Sequence, residues 1–429
     1  MRVFVKSFGC STNLADGEVL AGCLQAAGYE IVDDVAKADL VVFNTCAVKG
    51  PTENRMISVL KAVPRSKKLI VGGCLPLINV KRLRNEVRFD GLMGPAAGEQ
   101  IAEVTERVFR GEKVIATENA IDAIPHLYLP RRRINPVVSI IPVNYGCLGA
   151  CAYCCVVFAR GRLRSHSVAE IVEQVKKDVI GGTREFWVTS QDAACYGRDK
   201  GTNLAELLNA ICSVEGDFMV RVGMMTPNLV LDILEELIEA FRNEKIFKFV
   251  HLPVQSGDDQ VLKRMHRFYS VNDFIRIVET FKESFPEITL STDVICGFPG
   301  ETLEAFQKTL ELIEKVKSDI VNVSKFFARP RTPAVGMSKD AVSLVETKRR
   351  STAATLLAKN VSYERNQRWM KWKGEVLVDE VGKVAGSWVS RNFAYKPIVM
   401  RSKRVLLGKK LQVEVVKVCA TYLEGKVRE

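Results

Sequence analysis

Val143-Asn-Tyr-Gly-Cys147-Leu-Gly-Ala-Cys151-Ala-Tyr-Cys154 sets three cysteines at C-x3-C-x2-C spacing just after an apolar run at residues 137–143. The run reads as a strand, and the cysteines occupy the loop that follows it. Gly146 and Gly149 let that loop wrap closely around a bulky inorganic ligand. Soft thiolates select iron–sulfur clusters or zinc. A structural zinc site closes with four ligands, and the nearest histidine in sequence is His166. Three protein ligands on a four-iron cluster leave one iron open to an outside ligand. The stretch therefore points to an incomplete thiolate cage at the carboxyl end of a strand.

Downstream, residues 137 to about 335 repeat strand then helix. Strands are predicted at 186–189, 218–222, 247–252, 288–294 and 320–325, with amphipathic helices such as 229–241 and 271–285 between them. Ser167 and Glu170 form a capping box for a helix running to Ile180. This order predicts an α/β fold with a parallel (β/α) barrel, or part of one, whose reactive groups gather at the carboxyl ends of the strands. Ser190-Gln-Asp192, Thr226-Pro-Asn228, Gln255, Asp293 and Gly297-Phe-Pro-Gly-Glu-Thr302 stand at such ends. About half of these groups would serve equally well as caps of the next helix. Glu185 and Gln255 border strands so apolar that a polar side chain there needs a partner.

Upstream, residues 1–115 alternate strands at 2–8, 39–44, 68–72 and 89–93 with a helix at 15–27, which predicts a small parallel sheet covered by helices. Cys10, Cys46 and Cys74 each follow one of these strands. Strand ends in an open α/β sheet share one edge, so the three thiols can converge there as a second incomplete cage. The alternative is three unrelated buried cysteines, the reading given to Cys23 inside the helix. From Gly111 the pattern breaks, and residues 116–136, with prolines and Arg131-Arg-Arg133, read as a linker. Those arginines are placed either on RNA phosphate or in solvent.

A helix at 341–368 leads into a tail of short alternating segments separated by glycines, the pattern of a small antiparallel barrel over 365–429. From Arg365 onward there are 15 Lys and Arg against 6 Asp and Glu, so most of the net charge of +12 lies there. Basic groups interleaved with Trp372, Trp388, Phe393 and Tyr395 suit RNA with stackable bases. The tryptophans fit a barrel core as well, whereas Phe393 and Tyr395 are predicted in a loop. Twelve cysteines in 429 residues are too sparse for a disulfide scaffold and suit metal binding in a reducing compartment. The start lacks the pattern of a signal peptide, and no apolar run is long enough to span a membrane, so the expectation is a cytoplasmic protein without a membrane partner. Four histidines leave little scope for histidine-based catalysis.

Together these regions resemble the radical S-adenosylmethionine (SAM) methylthiotransferase family. Gly9-Cys10-Ser-Thr-Asn13, Asn44-Thr-Cys46 and Gly72-Gly-Cys74 match its amino-terminal motifs, and Cys147, Cys151 and Cys154 match the ligands of its SAM-cleaving cluster. Thr292-Asp-Val-Ile-Cys-Gly-Phe-Pro-Gly-Glu301 is similar to a signature of its barrel, and the tail resembles a TRAM domain. Gly146-Cys-Leu-Gly-Ala-Cys151, Ala159-Arg-Gly161, Tyr196-Gly-Arg-Asp199 and Arg391-Asn-Phe-Ala-Tyr-Lys-Pro397 resemble the archaeal and eukaryotic branch acting on N6-threonylcarbamoyladenosine.

The resemblance implies two 4Fe-4S clusters and SAM as cofactors, with Cys10, Cys46 and Cys74 on the auxiliary cluster. It also implies methylthiolation of adenosine 37 in the anticodon stem-loop of tRNA, one SAM methylating the sulfur and a second starting the attack on carbon 2. Glu185 is expected at the SAM amine and Arg221 at its carboxylate, with Gln255 and Asp293 shaping the pocket. Cys155 and Val156-Val-Phe158 depart from the family pattern. The rival readings are a methylthiotransferase for isopentenyladenosine in tRNA, one for a ribosomal protein, and a zinc-stapled RNA-binding protein without catalysis.

Overall fold

The computed structural model describes residues 1–47, 50–118 and 124–428. Its first layer is a six-stranded, wholly parallel sheet in the order β2-β1-β3-β4-β5-β6. The strands are β1 (Arg2–Ser7), β2 (Glu30–Val32), β3 (Leu40–Thr45), β4 (Lys68–Gly73), β5 (Gly91–Met93) and β6 (Val114–Ala116). Alternate residues face opposite sides. Val3, Leu40, Val42 and Ile70 meet Leu20 and Leu24 of the helix Ser11–Ala26, while Phe4, Val41, Phe43 and Val71 meet Met56, Ile57 and Leu60 of the helix Gly50–Lys61. Both β2 and β6 were absent from the sequence reading. Each is three residues long, and β6 falls where the repeat was expected to break.

The central layer is an open arc of six parallel strands. β7 (Val138–Pro142), β10 (Glu185–Thr189) and β11 (Met219–Val222) form one half. β12 (Phe249–His251), β13 (Thr289–Cys296) and β14 (Ile320–Lys325) form the other. Single parallel bridges, Val220 to Ile246 and Met224 to His251, join the halves. Outward residues such as Ile141, Phe186, Val220 and Leu290 bury against a shell of helices. The predicted capping box at Ser167 and Glu170 is present, and Ser270 with Asp273 forms another. The helix expected at 229–241 is two, Pro227–Leu231 and Leu234–Phe241. Inward residues Val138 and Ile140 bury Leu14 and Ala15, so the first helix of the amino-terminal layer lies inside the arc. That insertion brings the carboxyl edges of the two sheets together.

A long helix, Leu344–Gln367, leads to the last layer, a closed five-stranded barrel ordered β15-β16-β17-β19-β18. Its strands are β15 (Lys373–Val381), β16 (Ser387–Arg391), β17 (Pro397–Arg401), β18 (Lys410–Val418) and β19 (Leu423–Val427). It closes through one parallel pair, β17 with β19, inside an otherwise antiparallel ladder. Hydrophobic alternation carries no information on strand direction, so that pair could not be read from the residues.

The barrel is held to the arc by buried charge. Asp319, fully buried, takes Lys396 at 2.8 Å and Arg368 at 3.0 Å. No helix among the described residues is long and apolar enough to cross a membrane.

Candidate functional site

All six predicted ligands, Cys10, Cys46, Cys74, Cys147, Cys151 and Cys154, line one cavity of about 640 Å³ between the two sheets. The first three follow β1, β3 and β4. The other three follow β7 in a loop closed by a short antiparallel ribbon, β8 (Asn144–Tyr145) with β9 (Arg164–Ser165). Glycine is required just before three of the cysteines. Gly73 has φ +88°, and a Cβ there would stand 2.3 Å from the Thr45 carbonyl oxygen. Gly9 has φ +117°, and a Cβ there would stand 2.7 Å from Cys46 Cβ. Gly146 has φ +76°, and a Cβ there would stand 2.0 Å from the Arg162 carbonyl oxygen.

Hydrogen bonds fix the two cysteine sets against each other. Arg160, on the helix Val157–Arg160, donates across the junction from Nη2 to Asp16 at 2.6 Å and to Asn13 at 2.8 Å. Tyr145 donates to the other oxygen of Asp16 at 2.9 Å. Asn13 donates to the carbonyls of Phe8 and Thr45, tying the Cys10 and Cys46 loops together, and its side-chain oxygen lies 4.0 Å from Cys74 Sγ. On the far side, the Gly149 amide donates to Cys147 Sγ at 3.1 Å and Arg267 donates to Cys151 Sγ at 3.2 Å. Burial pushes the thiols of Cys74 and Cys147 up to about 12 and raises that of Cys154 as well. Buried thiols of this kind ionise when a metal takes the proton's place.

The donor sets fit clusters. Each is three thiols on tight loops, with a buried guanidinium close by to answer the negative charge of thiolate-bound iron. Among the described residues no three His, Cys, Asp or Glu side chains gather closely enough to hold a single metal ion; the thiols instead rim a wider space. A second pocket of about 340 Å³ adjoins the first and shares Cys154 and Asp293 with it. Tyr153, Ile295 and Phe326 give it apolar walls, and Gln255, Asn322 and Ser324 give it polar ones.

Of the other expected residues, Arg221 lines the large cavity, Asp293 lines both pockets and Gln255 lines the smaller one. Gln255 has φ +72°, and its buried Oε1 lacks a partner. Asp293 meets His251 Nε2 at 3.0 Å and accepts from Asn322 at 2.8 Å. Glu185 is corrected. It begins β10, at the end opposite the cavity, fully buried, and accepts from Trp187 Nε1 at 2.5 Å and from the Tyr395 hydroxyl at 3.0 Å. Burial raises its carboxyl to about 8. The groups that β10 does present at the cavity are Thr189, Ser190 and Gln191.

Two further expectations change. Tyr395, read as an exposed RNA-stacking ring, is buried against Phe247 and Phe249, while Phe393 stays 38% exposed beside Trp369. Arg131 is paired with Asp178, Arg132 donates to the Ile31 carbonyl, and Arg133 is bound to Thr183, so the triplet holds the linker down instead of facing RNA. Cys155 is not part of the large cavity's lining; it borders the smaller pocket and donates to the Ala47 carbonyl at 3.4 Å. The departure at Val156-Val-Phe158 supplies apolar cavity wall. Of the strand-end groups, Asp192 caps Ala194 and Thr302 caps Ala305, while Glu301 pairs with Arg350.

The sequence reading missed Arg267, Asp16 and His251 as members of the site. Arg267 and His251 arrive from elements remote from the cysteines, and Asp16, on the helix that Cys10 caps, belongs to no cysteine spacing. Arg160 and Asn13 stood inside quoted motifs, and their polar character beside glycines and cysteines was the available signal.

Two family models match the chain: the Radical SAM superfamily over residues 141–313 and the Uncharacterized protein family UPF0004 over residues 2–94. A Pyrococcus abyssi protein named "Probable threonylcarbamoyladenosine tRNA methylthiotransferase" is 42% identical over 429 residues, covering 100% of this chain and 99% of its own. The Homo sapiens threonylcarbamoyladenosine tRNA methylthiotransferase is 34% identical, covering 99% of this chain and 74% of its own. Among solved structures, the radical S-adenosylmethionine methyltransferase TsrM from Kitasatospora setae superimposes with a TM-score of 0.59 at 15% identity. That match covers 78% of this chain and 74% of TsrM, a likeness of fold.

Proposed function

This chain belongs to the threonylcarbamoyladenosine tRNA methylthiotransferases, a radical SAM family of sulfur-group transferases, and on that premise we propose that it attaches a methylthio group to carbon 2 of N6-threonylcarbamoyladenosine 37 in the anticodon stem-loop of tRNA. The observation that carries the reading is the convergence of six cysteines, in two sets of three, on one cavity. When bound, SAM on a 4Fe-4S cluster at Cys147, Cys151 and Cys154 would supply radical chemistry, and a second cluster at Cys10, Cys46 and Cys74 would hold the sulfur species.

The chain's own residues do the rest. Tyr153, Ile295 and Phe326 offer faces for the adenosine of SAM, with Gln255, whose Oε1 lacks a partner, among the polar groups beside them. Arg221, flanked by Trp187, Phe249 and Tyr395 at 5.2 to 5.4 Å, offers a guanidinium to a carboxylate in the large cavity. Arg160, Asp16 and Asn13 hold the two cysteine sets at a fixed separation. Val156, Val157 and Phe158 make part of the wall apolar, which disfavours water beside a radical.

Residues 1–115 form the methylthiotransferase layer, 116–136 the linker, 137–364 the radical SAM layer and 365–429 a TRAM-like barrel that takes the tRNA backbone. The enzyme works in the cytoplasm, where reduced thiols persist.

Nucleoside mass spectrometry of tRNA from cells with and without this protein tests the reading. The methylthio derivative of threonylcarbamoyladenosine should vanish in its absence. Loss of a methylthiolated isopentenyladenosine instead would reassign the substrate.

A further inference from the structure

One buried arginine attends each cysteine set, and the two differ in what neutralises them. Arg267, 8% exposed, donates from Nη1 to Cys151 Sγ at 3.2 Å, from Nε to the Tyr269 hydroxyl and from Nη2 to the Pro253 carbonyl, both at 3.1 Å. Its partners are a thiol, a phenol and a carbonyl. Among the described residues no carboxylate oxygen lies within 4.0 Å of it in an ion pair. Asp192, an acid that feels its charge and bears on Cys147 as well, is engaged by the backbone amides of Ala194 and Thr226 and bonds neither arginine.

Arg160, 2% exposed, sits on the other set. It is bonded to Asp16 at 2.6 Å and shares the Asn13 side-chain oxygen with Cys74. Its charge is cancelled at the source. Cys151 thus faces a full positive charge, and Cys74 faces an ion pair.

We propose that this asymmetry fixes the order in which the two clusters accept an electron, the one at Cys147, Cys151 and Cys154 first. The inference rests on the two-cluster reading above. Adding one electron to a cluster adds one negative charge, and cluster potentials follow local charge and hydrogen bonds to sulfur. An uncompensated guanidinium bonded to a ligand sulfur favours the reduced form more than an arginine already paired with a carboxylate. The electron from an external one-electron donor then rests where SAM is bound. The centre at Cys10, Cys46 and Cys74 stays oxidised while it carries sulfur. Arg267 is in this sense a positioning residue for the electron and need not touch substrate.

The test is a dithionite titration of the full chain loaded with both clusters, followed by electron paramagnetic resonance. Iron and acid-labile sulfide are counted first. Fewer than about eight irons per chain defeats the two-cluster reading itself, separately from the order of reduction. The signal that changes on adding SAM identifies the centre at Cys151.

That signal should develop first in the unaltered protein. Arg267→Gln should cut its reduced-to-oxidised ratio at fixed potential about tenfold, a fall of about 59 mV for one electron, and leave the other centre alone. Arg267→Lys should recover most of the loss. Asp16→Asn, which frees the charge of Arg160, should move the other centre upward.

The proposal is overturned if the centre at Cys74 reduces first. It is equally overturned if Arg267→Gln with full iron shows no shift. Should Arg267→Gln lose its iron, the Asp16→Asn protein decides, and an unmoved potential there overturns the proposal.

Discussion

Cys147, Cys151 and Cys154 come from one loop after one strand, whereas Cys10, Cys46 and Cys74 come from three strand ends of a separate sheet. The first set is held by its own backbone and by a ribbon two residues long on each side. The second exists only if β1, β3 and β4 lie side by side in parallel register. One is a local motif and the other a product of topology. Their failures should therefore differ.

Cys151→Ala is expected to abolish SAM cleavage, read as 5′-deoxyadenosine release, and methylthiolation with it. Cys46→Ala should leave cleavage measurable while methylthiolation stops and iron content falls by about half. Equal loss of both activities in the two proteins would break the division of labour between the sets.

Glu185 sharpens the comparison from the opposite end of β10. Read from sequence as a partner of the SAM amine, it is instead a buried carboxyl raised to about 8, chiefly by burial, from the usual 4.5. The sign follows from linkage. Below pH 4.5 the carboxyl is protonated in both the folded and unfolded chain. Between 4.5 and 8 the unfolded chain releases the proton and the folded one does not, so stability falls as pH rises through this window and levels off above 8. The whole window amounts to on the order of 5 kcal/mol. Glu185→Gln should flatten the pH dependence of Tm over that range and leave SAM affinity unchanged. A raised Kd for SAM would restore the catalytic reading.

How much was legible follows the same divide. The central cysteine loop could be read from spacing alone, and β14 was placed residue for residue. The convergence of Cys10, Cys46 and Cys74 could be anticipated because parallel sheets align their carboxyl ends. Glu185 and Tyr395 were misread for one reason. Each is a polar group whose partner lies 210 positions away, and no local pattern reports such a pair. Asp16 escaped notice likewise, and Arg160 was quoted in a motif without a role, since the bridge between them spans two layers.

The glycines before the cysteines test local against topological assembly at smaller amplitude. Gly146→Ala meets a backbone oxygen that cannot turn aside, at a left-handed φ. Its cost should be on the order of 3 kcal/mol, seen as a lowered Tm with loss of the Cys147 centre. Gly9→Ala meets Cys46 Cβ at 2.7 Å, a looser approach than the 2.0 Å at Gly146 but against an atom the backbone holds. About 1–2 kcal/mol is expected there, with iron lost from the topological set and retained in the local one. Similar Tm losses in the two proteins would remove the distinction.

The smallest effects belong to the barrel, which neither cysteine set should sense. Removing the tail outright is a poor probe, because it would leave Asp319 buried without Lys396 and Arg368. Lys403 and Arg404 are exposed in the turn between β17 and β18 and are the better choice. Each change to alanine should weaken tRNA binding by about 1 kcal/mol or less and reduce the slope of log K against log salt by roughly 1. Cluster content and SAM cleavage should stay unaltered. If both slopes match that of the unaltered protein, this turn does not meet phosphate, and the tRNA backbone lies on another face of the barrel.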